Sequence, residues 1–145
     1  MRLNISSTGT RSFPQTYKIL KKLLPAIYKH KCLNGEELPF EEEVLDTEIG
    51  HLFEHIAMEY LHQLKNRHQC QNRKVSGETS WDWSKEARGT FHIVVDSLRE
   101  EENLLNRALN KAAVLMSDIL KSGLTASPST APLFLPGRPA LSKGQ

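Results

Sequence analysis

The stretch Thr47 to Leu64, TEIGHLFEHIAMEYLHQL, decides how this chain folds and what chemistry it can carry. Ile49, Leu52, Phe53, Ile56, Ala57, Tyr60, Leu61 and Leu64 recur at i, i+3 and i+4, so the spacing predicts one amphipathic helix with that stripe on the core. Inside it stand His51, Glu54 and His55 as H-x-x-E-H. Residues four apart on a helix lie one turn apart on the same face, so His51 and His55 can hold one metal ion together. Glu54 sits beside them, within reach of a proton on metal-bound water; this is the inverted order of the zincin motif. Neutral imidazoles suit zinc, which lowers the pKa of its water to about 7. A shuffle of this composition would contain the motif roughly 0.02 times, so chance is a poor account of it. The competing reading is a polar helix face whose histidines meet water. At about 100° per residue, His51, His55, Met58 and His62 fall nearly opposite the apolar stripe. A metal there needs a second element to cover the face and donate a third ligand.

Working outward, 145 residues make one domain with a single modest core. Nineteen basic against 17 acidic residues leave +2, which argues against electrostatic binding to nucleic acid or an anionic membrane. Cys32 and Cys70 form neither a metal-type pair nor a disulfide framework, so a reducing compartment fits. The sequence has no apolar run of transmembrane length and no signal-peptide pattern, so a soluble cytoplasmic protein is expected.

Upstream, Arg2 to Ser6 alternates weakly as a short strand. A first helix is expected from Ser12 or Phe13 to Lys29, with Pro25 ending or kinking it. His30 to Leu45 reads as a loop turning at Asn34-Gly35, and Asp46 or Thr47 is placed to cap the motif helix. Downstream, strands are expected around Lys74 to Trp83 and over Gly89 to Asp96, joined by a hairpin loop at Ser84 to Gly89. Trp81 and Trp83 would share one strand face, with burial as their default role and substrate stacking as the alternative. The last helix should run from about Leu98 to Lys121 with Leu105, Leu109, Ala112, Leu115, Met116, Ile119 and Leu120 inward. Beyond it, residues 123–145 hold four of the seven prolines and no periodicity, the signature of a disordered tail.

Three acids, Glu100, Glu101 and Glu102, open that last helix, where the helix dipole favours them in any case. Counting back in fours from Leu109 through Leu105 reaches Glu101, which therefore continues the inward stripe. A carboxylate forced inward wants a metal or a cation. Glu101 is accordingly the expected third ligand, with Glu102, Asp96, His92 and His62 in reserve.

From Phe13 to about Lys121 the chain resembles the N-terminal domain of cyanophycin synthetase. Leu23-Leu24-Pro25, His30, Cys32 and Gly35 carry the first part of that resemblance. Thr47, Gly50, His51, Glu54, His55, Ile56, Ala57 and Glu59 match its central helix, T-x-x-G-H-x-x-E-H-I-A-x-E. Gly77, Thr79, Val94, Val95 and Glu101 stand in for its downstream segments. The synthetase polymerises aspartate bearing arginine side groups with ATP-grasp and ligase domains, for which this chain has no room. In some members the N-terminal domain resembles pitrilysin-type zinc peptidases and cuts the polymer. The resemblance implies zinc on His51, His55 and Glu101, with Glu54 as general base. One departure bears on substrate: the arginine-containing segment of the family reads Gly77-Glu78-Thr79-Ser80-Trp81 here.

The expectation is therefore an α+β domain over residues 1–122, three main helices packed on a small, mostly antiparallel sheet. The expected function is a zinc-dependent amide or peptide hydrolase acting on a cyanophycin-like polymer, with a separate synthetase as a candidate partner. The alternative is a non-catalytic module that binds a polymer or partner through an acidic face of Glu41, Glu42, Glu43 and Glu78. A structural metal in a degenerate site is the third reading.

Overall fold

Proline 25 splits the first helical stretch as its chemistry requires. In the computed structural model, which describes residues 8–32, 38–70 and 74–125, helix α1 spans Thr16–Leu23 and stops at Leu24, whose φ of −145° is far from helical. The residue before a proline is driven out of the α region, and the proline itself fits the first position of the 3-10 helix Pro25–Lys29 that follows. A single turn, α2, spans Phe40–Glu43. The motif helix, α3, spans Ile49–Arg67. Strands β1, Gly77–Ser80, and β2, His92–Val95, pair antiparallel with Gly77 opposite Val95 and Ser80 opposite His92. A 3-10 turn, Arg99–Glu101, leads into α4, Glu102–Thr125. Among the described residues the architecture is the expected α+β arrangement, three main helices with a small antiparallel sheet.

α3 is the hub. α4 packs along it, both strands lie against it, and the Pro25–Lys29 turn covers a further side. One apolar cluster joins Leu20, Leu24 and Ile27, Phe40 and Val44, Leu52 and Ile56, and Leu115, Met116 and Ile119. Each such fully buried side chain contributes roughly 1.5–3 kcal/mol by leaving water. A smaller cluster of Leu61, Leu64 and Ala108 continues it along the α3–α4 seam. Because α3 is wrapped on several sides, the face that carries His51 and His55 is covered, as a metal there requires, and the competing reading of a water-facing stripe holds only at the exposed His62. His55, Met58, Glu54 and Glu59 are buried along with the apolar stripe. Periodicity found the most apolar face; the opposite face is also buried, and polar partners make that possible.

The start of α3 differs from its expected capping. Its N-cap is Glu48, with no side-chain cap. A strap at Thr8–Thr10 serves instead: Ile49 N–H donates to the Thr8 carbonyl at 2.7 Å and Thr10 N–H to the Thr47 carbonyl at 2.7 Å. Thr47 N–H in turn donates to Thr10 Oγ1. Asp46 is drawn off to Arg11, leaving the Thr47 hydroxyl for another partner. Gly50 lies where α3 comes closest to the start of β2; a Cβ there would stand 2.4 Å from the Phe91 ring. No other residue fits that approach without displacing the ring.

The strand expected at Arg2 to Ser6, the turn at Asn34-Gly35 and most of the expected tail fall outside the described residues. α4 continues to Thr125, past the expected end at Lys121. No described helix is long and apolar enough to cross a membrane.

Candidate metal centre

Spacing by four puts His51, His55, Glu59 and Gln63 in one line along α3, and the segment after Pro25 is folded against that line. The kink at Pro25 turns the chain so that His30 and Cys32 pass over α3 instead of running on as helix. A bridge between Lys31 and Pro39 brings the chain back, and Phe40 follows it into the core. The ring of Phe40 stacks on His55 with centroids 4.0 Å apart. Cys32 thereby arrives beside both motif histidines.

Cys32, His51 and His55 are the three donors whose atoms converge among the described residues. Cys32 Sγ lies 3.1 Å from His55 Nε2 and 3.6 Å from His51 Nε2, and the two Nε2 atoms are 3.0 Å apart. Ligand atoms placed on one tetrahedral zinc-sized ion stand roughly 3.3–3.7 Å from one another, so these separations are close to what such an ion imposes. A thiol with two imidazoles is also a donor set that suits a borderline or soft metal. The residues therefore fit a metal ion. Each imidazole is oriented from its far side: His51 Nδ1 is 2.8 Å from Thr47 Oγ1, and His55 Nδ1 is 3.0 Å from His30 Nδ1.

Electrostatics fit a neutral, enclosed cluster. Burial, with His51 and His30 adding to it, pushes the His55 pKa down to about 2. Burial, then a hydrogen bond and charge from Glu43, pushes the Cys32 thiol well above its usual range. Desolvation raises Glu54, opposed by a hydrogen bond from Thr79 and the nearby His51. The His55 shift has a consequence for the metal-free protein. The folded ring stays neutral, while the unfolded ring takes up a proton near pH 6.5, so stability falls as pH drops through that value. Glu54 contributes with the opposite sign, because its folded carboxyl holds a proton more readily than the unfolded one. Urea unfolding at pH 6.5 and pH 5 should differ by on the order of 2 kcal/mol, less the Glu54 offset. Equal stabilities would mean that His55 is solvated after all.

The other expected site residues are placed as follows. Glu54 turns its carboxylate toward β1, where the Thr79 hydroxyl donates to it and Gly77 leaves room for it. Glu101 is inward, as its spacing required, but it meets a cation. Its Oε1 is 3.0 Å from Lys65 Nζ, with both side chains about 5% exposed, and its Oε2 accepts from Leu98 N–H. Lys65 stands ten residues beyond His55, about 15 Å along the helix, so the structure does not bring Glu101 into the donor cluster. Asp96 accepts from Ser76, and His92 pairs with Glu86. Of the expected acidic face, Glu41, Glu42 and Glu78 are exposed, whereas Glu43 is buried against His51 and Cys32. Trp81 and Trp83 lie beyond β1 in the connection to β2, not within a strand. They gather with Phe91 at ring separations of 5.6–6.1 Å, and Trp81 is 43% exposed.

Reasoning from sequence missed Cys32, His30 and Glu59. For Glu59 the signal was present, since it extends the His51–His55 spacing by one more turn. His30 and Cys32 were visible only as residues that carry the family resemblance, with no spacing to join them to the motif helix.

A family model described as the cyanophycin synthase-like N-terminal domain matches residues 1–121. No curated protein and no solved structure matches the chain.

Proposed function

Since the chain belongs to the cyanophycin synthase-like N-terminal domain family, we propose that it is a non-catalytic, metal-braced module that binds a peptide-like polymer. The observation that carries this reading is the enclosure of the donor cluster. Cys32 is 4% and His55 2% exposed, Phe40 lies flat on His55, and the motif glutamate is bonded to Thr79. A long chain substrate has little access to such a centre. An ion held by Cys32, His51 and His55 would tie the segment after Pro25 to α3, and zinc is the metal this donor set suits best.

The binding surface in this proposal is the tip of the β1–β2 connection. A cavity of about 350 Å³ there is lined by Ser80, Trp81, Asp82, Lys85, Glu86 and His92. The exposed Trp81 indole can take a basic side chain by cation–π contact, and Asp82 and Glu86, paired in the structure with Lys85 and His92, can exchange those partners for it. A cyanophycin-like polymer, with its arginine groups, has that chemistry.

A second reading is favoured by one observation: the cluster offers three protein donors, the number found in catalytic zinc sites, with Glu54 next to one of them. In that reading the metal supplies Lewis acidity and Glu54 carries a proton between water and a leaving amine.

The test is to mix purified protein with an arginine-bearing aspartate polymer, measuring both co-sedimentation and release of new amines. Binding without release is expected, weakened about tenfold by Trp81→Ala, as loss of a desolvated cation–π contact and its apolar area implies. Release that Glu54→Gln abolishes while the metal stays bound would replace this proposal with the hydrolase.

A further inference from the structure

Behind the donor cluster runs a line of four polar side chains that the binding function does not use. Gln63 Nε2 donates to Glu59 Oε1 at 3.0 Å. Glu59 Oε2 lies 2.9 Å from His30 Nε2, and His30 Nδ1 lies 3.0 Å from His55 Nδ1. The far nitrogen of His55, Nε2, is the atom that faces Cys32 and His51. Glu59 is 3% exposed, and no solvent screens it from His30. Burial by itself would raise its carboxyl, but the hydrogen bonds from His30 and Gln63 outweigh burial and hold it below the usual carboxylate range.

The direction of the hydrogens follows from one end of the line. An ionised carboxylate only accepts, so the hydrogen between Glu59 and His30 sits on His30 Nε2. When His30 is neutral, this leaves its Nδ1 bare, and a bare ring nitrogen can only accept. The hydrogen between the two rings then belongs to His55 Nδ1, and His55 Nε2 is left with a lone pair aimed into the cluster. That is the tautomer a metal ligand needs.

We propose that Glu59 and His30 are positioning residues that fix His55 as its Nδ1–H tautomer, so that Nε2 stands ready for a metal before one arrives. The proposal rests on the reading of Cys32, His51 and His55 as a metal centre, which it deepens. Metal-bound histidines commonly donate their other N–H to a carboxylate; here a second imidazole is interposed, and the carboxylate acts through it. The placement explains why the buried Glu59 and the half-buried His30 are bonded to each other behind the site.

The test has two arms on the full chain. In the first, nitrogen-15 spectra of the metal-free protein at pH 8 report which His55 nitrogen carries hydrogen. The Nδ1–H form is expected in the wild type, with a shift toward Nε2–H in Glu59→Leu. In the second, chelator competition measures zinc affinity. Glu59→Leu and His30→Phe should each weaken it about 10- to 100-fold, the range typical of lost outer partners. The double variant should be no weaker than either single one, because the two residues act in series. Cobalt substituted for zinc should keep its thiolate charge-transfer band in every variant, which separates a loss of orientation from a loss of ligands. If Glu59→Leu does not fold, His30→Phe supplies both readouts. A wild-type His55 in the Nε2–H form, or affinities in both single variants within about twofold of wild type, would overturn the proposal. A wild-type Nδ1–H form that shifts in Glu59→Leu, in a protein that binds no zinc, would support the relay while removing the metal centre it was read to serve.

Discussion

Replacing Cys32 with alanine is expected to leave the purified protein without stoichiometric metal. Structural zinc sites bind with roughly 10–16 kcal/mol shared over four ligands, so losing one thiolate should weaken binding by more than about 100-fold. The wild-type affinity should also climb with pH, because the Cys32 thiol, raised by burial and by Glu43, must give up its proton to the ion. Thermal melts give a second readout. Added zinc should raise the melting temperature of the wild type and not that of Cys32→Ala, since a ligand stabilises only a fold that binds it. A Cys32→Ala protein that keeps its metal at wild-type affinity would mean that His51 and His55 use some other third donor. Glu43, buried beside His51 and Cys32, would then be the candidate.

The second large effect is expected at Glu101 itself. Glu101→Ala should destabilise the protein by about 3–5 kcal/mol, because it strands Lys65 as a buried cation. The same change should leave zinc content untouched. Replacing both partners, Lys65→Met with Glu101→Leu, should recover most of the loss, since an apolar replacement for a buried ion pair is often neutral or better. Denaturant titration of the two variants beside metal analysis separates the two roles of this carboxylate. Loss of metal with little loss of stability would make it a ligand.

The contrast between those residues explains how far the sequence could be read. Helical spacing carries direction, so Glu101 could be placed inward, but it was read as a metal ligand and it meets Lys65 instead. Spacing could not say which positive charge, because Lys65 belongs to another helix and only packing brings the two together. His51 and His55 were legible for the same reason as Glu101, since both lie on one helix. Cys32 was not, because it reaches them through a proline-kinked turn held by the Lys31–Pro39 bridge, and no periodicity spans such a path. The length and position of α3 and α4 were evident from their stripes. The burial of α3 on its polar side was not, since that depends on what His30 and Phe40 cover. The two strands were placed within a few residues, yet Trp81 and Trp83 left the strand they were assigned to. Alternation over three residues is too short to distinguish a strand from a packed loop.

The Lys31–Pro39 bridge has a kinetic side. It sets Cys32 and Phe40 beside α3 by a short route, Cys32 and His55 being 23 positions apart. The ion pair that anchors α4 must wait for Glu101, far downstream. Closing a short loop costs less chain entropy than closing a long one, and contacts between near neighbours in sequence form early. An ion that gathers Cys32, His51 and His55 would therefore act on the half-folded chain as a seed, ordering the first half before the last helix has docked. Metal supply would then govern how fast the protein folds as well as how stable it is once folded.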